Sequence, residues 1–366
     1  MSSVWLPCGD YHQDYREDQG WWQSRFIKGK MILLLAIMYI GIPMFLDDYW
    51  IGVGTMVGYT AMGALGVQLL IGYTGLITLG HTAFIAVGAY TSTLLVLQFP
   101  WPQFMLDWGL AYPVSIVVGA VVAGLWSVLF GLPSAKVKGF YLILTTMAAQ
   151  FITVGFVITQ YVSQIGGRGQ AFSLPPGTIK IGPWTIDTEV KIYYVMAVLL
   201  TLLVIMMANL LRSRTGRAWI AIRDNDIAAE ALGINIVWYK FLAFFVAGFM
   251  GGVAGAFWVS NTAAISPEHF PWSWSLWLVG VILIGGVGSI HGVIFGSMFM
   301  VVIMELLQIA VIPLSEYYPQ LLFNFAYIKD SAFGLAICVF LIYEPNGIAY
   351  RWWQIKNYFN LWPFSY

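Results

Sequence analysis

Apolar stretches recur ten times along this 366-residue chain, most of them near the length a helix needs to cross a bilayer. A hydrocarbon core about 30 Å thick takes roughly 17–25 mostly apolar residues at about 1.5 Å per residue. The stretches are 31–46, 49–71, 81–98, 111–132, 140–160, 192–211, 238–260, 276–288, 292–311 and 332–343. The first, eighth and last are short, so they tilt little, thin the bilayer locally or draw on flanking residues. Within 276–311, Gly285, Gly286, Gly288 and Gly292 mark either a turn between two spans or a re-entrant break inside one element, which leaves ten spans or nine. The expected fold class is all-α, a polytopic integral membrane protein whose solvent is the lipid bilayer.

Composition removes the alternatives. Charged residues make up 9% of the chain and apolar ones 60%, against about 25% charged in soluble domains. A soluble enzyme of several domains would lack the polar surface to cover itself. The 38 glycines show no triplet period, and Cys8 and Cys338 form no disulfide framework and say nothing about redox compartment. The net charge of +0 gives no reason to expect nucleic acid as a partner.

Basic residues set the orientation, because lysine and arginine are retained on the cytoplasmic side. With the N-terminus inside, Arg16, Arg25, Lys28, Lys30, Lys136, Lys138, Arg212, Arg214, Arg217, Arg223, Lys240, Arg351 and Lys356 lie inside. Arg168, Lys180, Lys191 and Lys329 lie outside, so the division is 13 to 4, and a nine-span count would give 12 to 5. The rule therefore fixes the N-terminus and not the number of spans.

The chain divides into an interfacial N-terminal segment (1–30), a membrane domain (31–345) and an interfacial C-terminal tail (346–366). Trp21, Trp22 and Phe26 near the start, and Trp352, Trp353 and Phe359 near the end, stand beside Arg and Lys as an aromatic belt does. No cleavable signal is expected, since the first apolar run begins only at Met31. Two polar loops remain. Residues 161–191 lie outside and are rich in Gly and Pro, long enough to carry structure of their own. Residues 212–237 lie inside.

The inner loop predicts a short helix over 225–233. Asp224 or Asn225 supplies the N-cap and Gly233 a left-handed C-terminal residue. Ile227, Ala228, Ala231 and Leu232 fall on one face, with Asp226 and Glu230 on another. Two turns of helix need a surface to dock on, which is another protein, the helix ends of this chain or the headgroups.

Four stretches together resemble the M-type permease subunit of bacterial ATP-binding-cassette importers for branched-chain amino acids. They are Gly72 to Phe84 with Gly88, Ala89 and Tyr90; Arg212 to Asn235 with Tyr239 to Phe244; Ile265 to Glu268; and Gly285 to Ser289. In that family an Ala-Ala-x-x-x-Gly pattern marks the cytoplasmic coupling helix, matched here by Ala228, Ala229 and Gly233, with Ile227 in place of the usual leading Glu. The resemblance implies that Asp226, Ile227, Ala228, Ala229, Ala231, Leu232 and Gly233 dock into an ATPase subunit. It also implies a bacterial inner-membrane location, a second permease subunit, two cytoplasmic ATPases and a periplasmic substrate-binding protein. The chain holds no G-x-x-x-x-G-K-[ST] loop, so ATP and Mg would be bound by the ATPase partners and this chain would need no cofactor.

Candidate pathway residues are Gly72, Gly75, Gly80 and His81 in one apolar stretch and Gly285, Gly286 and Gly288 in another. Broken segments in two halves point to a transport route, although glycines also serve close helix packing. Glu305 is the acid well inside a span, and an intramembrane carboxylate defaults to a functional hypothesis. Gln68 and Gln150 fit interhelical hydrogen bonding. The four histidines show no metal-ligand spacing, and nothing places a nucleophile beside a base. The expected role is a non-enzymatic transport subunit for branched-chain or other apolar amino acids. Rivals are a permease for urea or short amides, a secondary transporter or channel, and a membrane-embedded enzyme.

Overall fold

The computed structural model describes residues 25–361, apart from 136, 138, 163–171, 175–178, 183, 317, 319 and 321–323. The expectations for residues 1–24 and for part of the outer loop, Gly169 included, lie outside the described residues.

The chain is built from helices. α1 (Arg25–Ala36) continues through a π-helical stretch, Ile37–Gly41, into Ile42–Phe45. α2 (Asp48–Gln68) ends in a π-helical turn, Leu69–Tyr73. α3 is His81–Gln98, α4 the short Gln103–Asp107, and α5 Ala111–Gly131. α6 (Phe140–Gln150) runs on as the π-helical Phe151–Val162, and α7 is Glu189–Arg212. Two short helices follow, α8 (Arg214–Asp224) and α9 (Asp226–Ala231). The chain closes with α10 (Ile236–Thr262), α11 (Trp272–Gly285), α12 (Ile290–Ser315), α13 (Phe325–Tyr343) and α14 (Ile348–Leu361).

Among the described residues, seven helices are long and apolar enough to cross a membrane: α2, α5, α6, α7, α10, α12 and α13. Three shorter helices, Met31–Phe45 of α1 together with α3 and α11, occupy the remaining apolar stretches expected from the sequence. Contacts along them fix their directions. α10 is the central column: Gly248 meets Ser127 and Gly252 meets Ala120 and Ala123, so α5 runs antiparallel to it. Gly251 faces His81 and Gly255 faces Ile85, so α3 runs parallel. These approaches rely on the missing Cβ, which lets backbones close in where lipid gives no hydrophobic drive. α2 runs parallel to α7 through Gly54 on Tyr193 and Gly58 on Met196.

The segment 276–311 is two antiparallel helices, not one. Gly285 packs on Gly292 and Gly296 on Val281, with Gly286 (φ +119°) and Gly288 (φ +81°) supplying the turn. α13 begins at Phe325, seven residues before the expected start at 332. Lys329 and Asp330 masked that first turn, yet Lys329 Nζ lies 4.8 Å over the Phe325 ring and 3.4 Å from Gln308 Oε1.

The bundle has two ends. At one, β1 (Phe172–Ser173) pairs antiparallel with β4 (Ala264–Ile265), and β2 (Lys180–Ile181) with β3 (Trp184–Thr185); this is the strand end. The other end gathers α8, α9 and the turns at Gly286 and Gly347, and is called the basic end after Arg212, Arg214, Arg217 and Arg223. There α14 packs through Trp352 on Phe295, and Arg351 Nε donates to Glu344 Oε1 at 2.6 Å.

Candidate functional site

The inner loop folds because each turn of it is capped. Ser213 Oγ accepts from Thr215 N at 3.2 Å to start α8, and the indole of Trp219, fully buried, donates to Tyr239 O at 2.8 Å. That anchor ties α8 to the base of α10. Asn225 Oδ1 then accepts from Ala228 N at 3.1 Å to start α9. α9 stops in a Schellman motif, with Gly233 N donating to Glu230 O (2.9 Å), Ile234 N to Ala229 O (3.1 Å) and Gly233 at φ +83°.

Of the expected coupling residues, Ala229 alone is buried. Ile227, Ala228, Ala231, Leu232 and Gly233 face outward, Ile227 and Leu232 at 74% and 80% exposure, and Asp226 is half-buried. A polar end of the molecule thus presents a small apolar knob.

Arg223, at the end of α8, reaches away from that knob to the spans. Its Nη1 donates to Gly72 O at 2.8 Å. This carbonyl belongs to the last turn of α2, where a helix leaves acceptors without intrahelical donors. Arg223 also pairs with Asp224 at 2.9 Å, an exposed pair of small energetic weight. The Arg223 side chain covers Gly75 (φ +69°) and approaches Gly288.

The two glycine-broken runs therefore meet. A Cβ on Gly72 would stand 2.7 Å from Gly288 N, so only glycine lets α2 and the α11–α12 turn touch here. Gln68 bridges the same joint, its Nε2 donating to Gly286 O at 3.2 Å and Ser289 O at 3.0 Å. Gly72, Gly75, Gly286 and Gly288 thus lie together at the basic end, with Gly285 at the adjoining turn of α11.

His81 and Gly80 lie deeper. The chain from 75 to 80 is not helical and turns back into the bundle, where Gly80 packs on the Thr146 carbonyl and His81 is fully buried against Gly66 and Gly251. Leu79 N donates to Thr146 Oγ1 at 3.1 Å and Leu76 N to Leu70 O at 2.8 Å. Leu76, Thr78 and Gly80 of this irregular stretch are buried, as is Thr74 before it, whereas Gly75 and Ile77 are exposed. Glu305 is apart from both groups, on α12, where it accepts from the hydroxyl of Tyr49 near the start of α2. Gln150 Nε2 donates to Phe270 O at 2.9 Å.

Sequence reasoning did not find the Arg223–Gly72 contact or the place of Gln68 in the joint. A cation in the last turn of a capped helix was a signal for binding some carbonyl, but nothing in the pattern named which one.

A helical bundle with seven helices long and apolar enough to cross a membrane is the build of a polytopic membrane protein. The chain belongs to the family described as "Branched-chain amino acid transport system / permease component", whose profile matches residues 50–327. It is 26% identical over 304 residues to the high-affinity branched-chain amino acid transport system permease protein LivM of Salmonella typhimurium, covering 77% of this chain and 69% of that one. The same figures hold for LivM of Escherichia coli. It is 23% identical over 332 residues to the probable branched-chain amino acid transport permease protein LivM of Methanocaldococcus jannaschii, covering 89% and 91%. No solved structure matches the chain.

Proposed function

We propose that this permease is the membrane-spanning subunit of an ATP-driven bacterial importer that carries branched-chain or other apolar amino acids by alternating access. In this reading the basic end is cytoplasmic, the N-terminus is inside, and the membrane is the inner one. The knob at α9 docks on an ATPase subunit, which binds ATP and Mg. A second ATPase, a second permease subunit and a periplasmic binding protein at the strand end complete the assembly.

The observation that carries this is the link from an exposed apolar knob, Ile227, Ala228, Ala231 and Leu232, through Arg223 to the joint of Gly72 and Gly288. A push on the knob is delivered to the two spans that close against each other. A secondary transporter or channel has no use for such a lever.

Reconstitution in vesicles with the ATPases, the second permease and the binding protein tests it. Leucine uptake is expected only with ATP and only with the ATPases present. Uptake that follows an ion gradient without ATPases would replace the reading with secondary transport.

A further inference from the structure

A second cluster sits towards the strand end of the same seam, on α2, α10 and α11. The Tyr59 ring lies 4.6 Å from the Trp258 ring and 5.1 Å from Trp274, and those two indoles are 5.6 Å apart. The His269 ring edges Trp258 at 6.5 Å. Tyr59 is 2% exposed. Its hydroxyl and the Trp258 Nε1 are both buried, and neither has a hydrogen-bond partner among the described residues. Buried Tyr and Trp donors ordinarily find an acceptor, so two orphans on adjoining rings mark a place prepared for an acceptor that none of the described residues supplies.

Position adds to this. At about 1.5 Å per residue, Tyr59 lies ~16 Å along α2 from its start at Asp48, so the cluster spans from the strand end to the middle of the bundle. The joint of Gln68, Gly72 and Gly286 closes α2 against α11 at the basic end. Tyr59 against Trp274 closes the same pair of helices at the strand side. Between them Gly63 faces Leu278 and Ile85, an apolar lining. Aromatic faces attract an ammonium group and apolar side chains alike, and the orphaned groups are donors suited to a carboxylate. The three rings of the box carry no formal charge, so the box suits a molecule of zero net charge.

We propose that Tyr59, Trp258 and Trp274 form a selecting site for the amino acid in transit. The ring faces take its ammonium and apolar side chain, and the Tyr59 hydroxyl and Trp258 indole N–H donate to its carboxylate. The rings touch one another here, so this is the closed form, and the ligand enters by parting them. The inference rests on the importer reading above.

The assay is direct binding of labelled leucine to the purified complex without binding protein, with leucinol and lysine as comparison probes. Wild type is expected to prefer leucine over leucinol, which lacks the carboxylate, and over lysine. Tyr59→Phe keeps the ring and is expected to weaken leucine about tenfold, the scale of one lost hydrogen bond to a charged group, while leaving leucinol nearly unchanged; Trp258→Phe loses the N–H and part of the ring face, and is expected to weaken leucine more than leucinol. Equal loss for leucine and leucinol, or no loss, overturns the site and assigns the two donors to structure or water. Failure of wild type to bind leucine in a complex that takes it up with ATP overturns it as well. If the assembled wild-type complex takes up no leucine with ATP and binding protein, the importer reading fails instead.

Discussion

Arg223 does two things at once, and its neighbours say why. It closes α8 with a cation at the helix C-terminus, and it supplies the donor that the Gly72 carbonyl lacks. Arg223→Gln removes the charge and shortens the reach. It is expected to leave membrane insertion and ATPase binding intact and to lower leucine uptake per ATP roughly tenfold, since a hydrogen bond from a charged donor contributes about 1.5–3 kcal/mol. Uptake and hydrolysis measured in the same vesicles decide it, and a wild-type ratio would reduce Arg223 to a surface cation. Glu305→Gln is expected to preserve assembly but lower uptake, because the amide keeps the Tyr49 hydroxyl bonded while the charge is gone; unchanged uptake at normal expression would make the carboxylate structural. The glycines could be singled out one by one from the sequence, whereas Arg223 stood there only as one of the inner basic residues. Their meeting could not, because Arg223 and Gly72 are 151 residues apart and no local pattern encodes that distance.

At the scale of elements, packing follows the small residues. Gly88 of α3 lies against the backbone of Gly252 in α10 and of Gly119 in α5, so three passes converge where none has a side chain. Gly88→Val has no flexible neighbour to displace and must part the helices, a cost of at least ~1–3 kcal/mol. The variant is expected to express poorly or to melt several degrees below wild type in detergent; an unchanged Tm would show that the three backbones are less tightly joined than their geometry implies. Span positions were legible because apolar length is a strong signal: α3 begins at His81 as the Gly80 break suggests. α13 was read short because Lys329 and Asp330 lower local hydropathy, and only the neighbouring Gln308 and Phe325 reveal how Lys329 is accommodated. The cap, expected at Asp224 or Asn225 and found at Asn225, and the left-handed Gly233 were legible, since a short capped helix is encoded by adjacent residues. The aromatic box was not, because its rings come from α2, α10 and α11 and each alone reads as span filling.

For the whole molecule, the account needs the basic end inside and the strand end outside. A cysteine at Trp184, which is 71% exposed at the strand end, is expected to react with an impermeant thiol reagent on intact spheroplasts. One at Asn225 is expected to react only after permeabilisation. Labelling of the Asn225 position first would invert the molecule and remove α9 from the ATPase side. With that orientation the helices form a frame in which α2 and α11 meet at both ends of one seam, at Gln68 and Gly72 below and at Tyr59 and Trp274 above. In the importer reading, force enters through α9. Ala228→Arg puts bulk and an unpaired charge on its exposed face, and burying such a charge at an interface costs several kcal/mol. The most direct measurement is leucine uptake by vesicles holding the complex with this variant, alongside the amount of ATPase retained on the permease. The account predicts normal insertion of the chain, loss of ATP-driven uptake, and ATPases that detach or hydrolyse ATP idly. Wild-type uptake with the ATPases still bound would contradict it.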